Sequence, residues 1–120
     1  MEKVLEKFET EIRRGVMQVA VVCLLDEEKY GYEIIKSLND AGLNVEEGTL
    51  YPLLRRLEKD ELLSSRWETS GPRPRKYYMV TEFGKEIRTK WLNSFNAISA
   101  VIERLKENVQ NNEKGGLYNV

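Results

Sequence analysis

The chain has 120 residues, 41% hydrophobic and 32% charged, which suits one compact domain with an appendage and excludes a (β/α)8 barrel. It has no histidine and one cysteine, Cys23, so imidazole chemistry, multi-cysteine metal sites and an internal disulfide are excluded, and neither metal nor cofactor is expected. The net charge of −1 argues against a nucleic-acid partner only if the charges are evenly spread.

Val4, Leu5, Phe8 and Ile12 recur at helical spacing in a mixed-charge segment. The apolar run 16–25 follows. Its valines allow a buried strand, but its length favours a buried helix continuing from residues 4–14. Cys23 then reads as a small buried hydrophobe. The run is far shorter than the ~20 residues of a membrane-spanning helix, and residues 1–7 lack the apolar core of a signal peptide. No membrane partner is expected, and a reducing, cytoplasmic location fits. Residues 26–29 read as a solvated turn.

A second helix is expected from about Gly31 to Ala41, with Tyr32, Ile35 and Leu38 on one face and Gly42 as its stop. A third helix should start between Glu46 and Thr49. Leu50, Leu53, Leu54 and Leu57 give it the clearest apolar stripe in the chain, and Pro52 requires a start close upstream. Residues 62–68 alternate as a strand, the prolines and glycine of 69–75 make a loop, and residues 76–80 form a second strand. The two strands should pair as a hairpin with a basic tip. Thr81 is a good N-cap for a helix to about Val109. Along it Trp91, Phe95, Ile98, Ile102, Leu105 and Val109 are spaced 4, 3, 4, 3, 4, a heptad seam. Residues 111–120 read as a disordered tail.

Three helices followed by a hairpin make a mainly α winged helix-turn-helix over residues 1–80, with a dimerisation helix over 81–110. The third helix would enter a major groove of double-stranded DNA, and the hairpin would be the wing. Residues 49–78 carry seven basic and four acidic side chains, a net +3, while the other 90 residues sum to −4. The face opposite the leucines holds Gly48, Pro52, Arg55 and Lys59, flanked by Thr49, Tyr51 and Arg56. Arg55 suits a guanine edge, Arg56 and Lys59 suit phosphate, and Thr49 and Tyr51 suit either. Arg73, Arg75 and Lys76 would meet the backbone or minor groove from the wing. On the second helix Lys36 joins the expected DNA contacts, and Tyr32 reads either as core or as a phosphate contact. Val4, Leu5, Phe8, Trp91, Phe95, Ile98, Ile102 and Leu105 are the expected dimer interface. With no nucleophile motif and no phosphate loop, the chain does not read as an enzyme. The competing reading is a winged helix that binds a protein rather than specific DNA.

Arg14-Gly15 before the apolar run, Tyr30-Gly31-Tyr32-Glu33-Ile34-Ile35, Thr49-Leu50-Tyr51-Pro52-Leu53-Leu54-Arg55-Arg56-Leu57-Glu58, and residues 71–84 from Gly71-Pro72-Arg73 to Phe83-Gly84 resemble, in order and spacing, the PadR-like transcriptional regulators. The resemblance covers residues 14–84, and the following helix extends it to about 107. It implies a homodimeric DNA-binding regulator, usually a repressor, released by a small and often aromatic effector; two copies of the third helix about one DNA turn apart would then make the operator an inverted repeat. The single C-terminal helix resembles the short members, which hold flat aromatic molecules between aromatic side chains near the dimer centre. That likeness points to Phe95, where such members often carry tryptophan, and to Trp91 one turn earlier.

Overall fold

The computed structural model describes the chain from Met1 to Gly115, and the remaining residues of the expected tail lie outside the described residues. In order it forms α1 (Glu2–Leu24), β1 (Lys29–Tyr30), α2 (Gly31–Asp40), α3 (Glu47–Lys59), β2 (Leu63–Glu68), β3 (Arg75–Val80) and α4 (Glu82–Gly115). The expected winged helix-turn-helix is present. The apolar run at 16–25 continues α1 as a helix, because Met17, Val21 and Val22 lie on one buried stripe. Four expectations need correction. The segment after α1 contains a third strand. α4 runs past Val109, so residues 111–115 are helical. The buried face of α2 is Gly31, Ile34 and Leu38, leaving Tyr32 63% exposed. Cys23 is exposed rather than buried.

The sheet order is β1-β3-β2, antiparallel throughout. β2 and β3 pair from Leu63↔Val80 to Glu68↔Arg75, and β1 adds Lys29↔Tyr78 and Tyr30↔Tyr77 on the other side. Leu63, Tyr78 and Val80 close one side of a core that includes Val21, Val22, Leu25, Ile34, Leu38, Leu50, Leu53, Leu54 and Leu57. α3 contributes the largest share, with all four leucines buried. Burying such side chains stabilises by about 1.5–3 kcal/mol each, against the entropy of ordering the chain.

Two helices end in the same hydrogen-bond pattern. After α2, the Leu43 N–H reaches the Leu38 carbonyl (2.8 Å) and the Gly42 N–H the Asn39 carbonyl (3.0 Å), with Gly42 at φ 101°. After α3, the Leu62 N–H reaches the Leu57 carbonyl (2.9 Å) and the Glu61 N–H the Glu58 carbonyl (3.0 Å). Both are Schellman endings, in which a left-handed residue turns the chain back over the last carbonyls. The second places Glu61, not glycine, at φ 67°.

Thr81 joins that ending to α4. Its hydroxyl donates to the Glu61 carbonyl (2.7 Å) and accepts from the Gly84 N–H (2.9 Å), the expected N-cap. Gly84 is fully packed: a Cβ there would strike the Leu62 carbonyl oxygen, which already accepts from the Thr81 N–H (3.0 Å). Arg88 anchors the same turns to the end of α1, donating to the Val22 carbonyl (3.0 Å) and to Asp26 (2.8 Å). Residues 1–88 form one compact unit and the chain from Thr89 onward a second, in which α4 simply continues. In that second unit Trp91 is half-buried, while Phe95, Ile98, Ile102 and Leu105 are exposed.

Two substitutions test these joints by thermal or denaturant unfolding. Gly84→Ala should destabilise by about 1–3 kcal/mol, because its obstacle is backbone that cannot rotate away. Glu61→Gly should stabilise by about 0.5–1 kcal/mol, the left-handed strain relieved less the entropy glycine adds to the unfolded chain. No destabilisation from the first, or destabilisation from the second, contradicts the geometry.

Candidate nucleic-acid interface

Once the leucines of α3 are inside, its other face is fixed. Thr49, Pro52, Arg55, Arg56 and Lys59 are exposed along it. Among the described residues Arg55 and Lys59 have no ion-pair or hydrogen-bond partner, so their donors point to water. Arg56 donates to Gln18 of α1 at 3.3 Å, a neutral partner that leaves its charge uncompensated. Tyr51, expected beside this face, is half-buried. Its ring sits on the backbone of Gly31, so closely that a Cβ at 31 would overlap it. Burial pushes its hydroxyl pKa up, with help from Glu47. The missing side chain at Gly31 makes room for this ring between α2 and α3, which explains why the position before Tyr32 is glycine. Tyr32 and Lys36 are exposed on α2, and Lys36 pairs loosely with Asp40 at 3.5 Å. A pair this exposed contributes little and is easily exchanged for another anion.

The wing divides its cations into two groups. Arg73, at the tip, is exposed and without a partner among the described residues. The Arg75 guanidinium lies 4.5 Å from the Tyr30 ring centre. A cation–π contact holds the charge in place yet leaves its N–H donors available to phosphate. Arg66 and Lys76 instead face carboxylates. Arg66 lies 4.9 Å from the Tyr77 ring centre and pairs with both Glu28 and Glu68, its Nε 2.8 Å from Glu28. Lys76 pairs with Glu58 of α3 at 3.2 Å, so this expected contact has an internal partner. Trp67, beside Lys76 in the strand register, is 62% exposed.

Arg13 and Arg14 were not among the expected contacts. They line a groove of about 690 Å³ between α1 and α3, together with Thr49 and Arg56. Basic character thus extends from α3 onto the middle of α1, diluted by Glu6 and Glu9 on the same groove. The signal in the sequence was an arginine pair one turn before the first buried residue of the run, Met17. Tyr30 was missed as well. It caps α2 while holding Arg75 and meeting the Tyr77 ring edge-on at 5.5 Å.

The apolar seam is exposed in each unit separately. Val4, Leu5 and Phe8 are exposed on α1, and Phe95, Ile98, Ile102 and Leu105 on α4. No helix among the described residues is long and apolar enough to cross a membrane.

Comparison with known proteins gives a consistent result. The model of the transcriptional regulator PadR-like family matches residues 21–90. The chain is similar to the crystal structure of a PadR family transcriptional regulator from Eggerthella lenta, with 37% identity, 88% of this chain and 95% of that one covered, and a TM-score of 0.82. A PadR-like transcriptional regulator from Bacillus cereus matches at 33% identity and a TM-score of 0.71, over 79% of this chain and 95% of that one. A transcriptional regulator of Mycobacterium tuberculosis is 38% identical over 65 residues, which are 54% of this chain and 61% of that protein.

The wing carboxylates set an acid limit. Hydrogen bonds from Ser70, then Arg66, hold Glu68 down to about 2, and the Ser65 hydroxyl, then Lys76, lowers the pKa of Glu58. A carboxylate lowered in the folded state adds stability above its unfolded value and loses it as pH falls through the folded one. Thermal midpoints should therefore decline as pH drops from about 4.5 toward about 2. Glu68→Gln should flatten part of that decline, and an unchanged acid profile in this variant would contradict the assignment.

Proposed function

The chain belongs to the PadR-like family of transcriptional regulators, and from that premise we propose that it is a homodimeric repressor binding an inverted-repeat operator. The observation that carries the reading is the outward face of α3, where Arg55 and Lys59 stand unpaired opposite a fully buried leucine stripe. Unpaired cations on a rigid helix suit the major groove, where Arg55 donates to a guanine edge and Lys59 and Arg56 to phosphates. Thr49 contacts base or sugar-phosphate beside them. Arg73 and Arg75 reach the neighbouring backbone or minor groove from the wing, and Tyr32 and Lys36 approach the backbone from α2. The family consists of regulators rather than enzymes, and no catalytic role is assigned.

The exposed seam of Phe95, Ile98, Ile102 and Leu105, with Trp91 at its start, supports pairing of α4 with its copy, and Val4, Leu5 and Phe8 supply further apolar surface for a partner. Two copies of α3 one DNA turn apart, about 34 Å, then set the half-site spacing. A small aromatic effector stacking at Trp91 and Phe95 would release the operator, provided it binds the non-binding arrangement more tightly. Repression follows from occupying the promoter against polymerase.

Selection of duplexes from a random pool by the full chain tests the core of this reading. An enriched inverted repeat with half-sites about ten base pairs apart is expected. Absence of enrichment by a folded dimer favours a protein partner for the winged helix. On the selected site, Arg55→Ala should cost about 1–3 kcal/mol and relax specificity at one base pair. Unchanged affinity removes Arg55 from the interface.

A further inference from the structure

Glu58 lies on α3 one turn after Arg55, at the border between the buried stripe and the outward face. Its two carboxylate oxygens are divided between the two strands of the wing. The Ser65 hydroxyl of β2 donates to Oε2, and the Lys76 ammonium of β3 lies 3.2 Å from Oε1. The same ammonium stands 5.3 Å from the ring centre of Tyr78, a core residue and the cross-strand partner of Ser65. The pair is also the more sheltered kind. The Lys76 and Glu58 side chains are 30% and 31% exposed, against 64% and 71% for Lys36 and Asp40. A charge pair partly withdrawn from water, with a neutral hydroxyl on its second oxygen, keeps one geometry better than an exposed pair does.

We propose that Glu58 is a positioning residue that fixes the wing on α3, and that Lys76 is its counterion rather than a phosphate contact. The assignment rests on the DNA-binding reading above and refines it. Phosphate contacts from the wing fall to Arg73 and Arg75, whose donors remain open. Glu58, acidic on a basic helix, is thereby not repelled by DNA, because its charge is neutralised before DNA arrives. The wing tip is aimed by α3 rather than by the loop.

Salt dependence separates a phosphate-binding cation from an internal counterion. The slope of log affinity against log salt falls by about 0.9 for each phosphate that a side chain ceases to neutralise. Operator binding by the full chain would be measured across a salt series, using the duplex selected above. Arg73→Gln should lower the slope by about 0.9. Lys76→Gln should leave it as in the parent. Glu58→Gln should raise it by about 0.9, because Lys76 is released toward phosphate, while the ratio of specific to random-duplex affinity falls. The double variant Glu58→Gln with Lys76→Gln should return to the parental slope. A decrease in Lys76→Gln equal to that in Arg73→Gln would overturn the proposal.

A second measurement needs no DNA. Amide hydrogen exchange in β2 and β3 should accelerate in Glu58→Gln, while α1 and α2 stay protected. Unchanged exchange overturns the clamp even if the parent binds no operator. Salt-insensitive binding by the parent overturns the DNA reading instead, so the two failures are distinguishable.

Discussion

Four leucines on one face of α3 constrain everything around them. Leu50, Leu53, Leu54 and Leu57 are buried where α3 packs with α2 and β2, and a helix so held has one rotation about its axis. That rotation sends Arg55 and Lys59 to solvent, puts Glu58 within reach of both wing strands, and lays Tyr51 on Gly31. Turning the helix by one residue, about 100°, would bury a cation and expose a leucine. The hydrophobic term thus fixes the chemistry of the outer face without taking part in it.

The charges around α3 and the wing fall into two groups of opposite use. Arg66, Lys76, Glu28, Glu58 and Glu68 pair with one another, and the pairs to Glu28 and Glu58 tie the hairpin to the body of the fold. Arg55, Lys59 and Arg73 neutralise nothing among the described residues. A near-neutral protein can therefore present a positive surface on the outward face of α3 and at the wing tip, because the carboxylates nearest the wing are occupied. Tyr30 links the groups by ending β1, opening α2 and holding Arg75. The joint from Thr81 to Arg88 fastens α4 to the ends of α3 and α1 through hydrogen bonds to main-chain carbonyls. Side-chain substitution at the accepting positions would leave those bonds in place.

Much of this was readable from residue order, and the exceptions share a cause. Periodicity revealed α3, because four leucines in eight residues allow only one helical face, and β2 and β3 were legible because glycine and two prolines separate an alternating segment from one rich in aromatic and branched residues. β1 was not readable: two residues have no period, and Lys29 and Tyr30 become a strand only because β3 offers an unpaired edge. The burial of Ile34 rather than Ile35 was equally hidden, since adjacent isoleucines leave the helix rotation to be decided by tertiary packing. Cys23 was misread because an apolar run does not specify which of its positions face inward. At the site, charge type was legible and charge partnership was not. Arg55 and Lys76 look alike in sequence, and only the fold separates an open donor from a counterion.

The two tryptophans fall in different units of the chain, and this has a spectroscopic consequence. Trp67 is exposed on the wing and Trp91 half-buried early in the second unit. Replacing either indole with phenylalanine leaves a protein with one emitter, whose wavelength and quenching report on that unit alone. Events at the wing and events along α4 can then be timed separately in one solution, with no external dye.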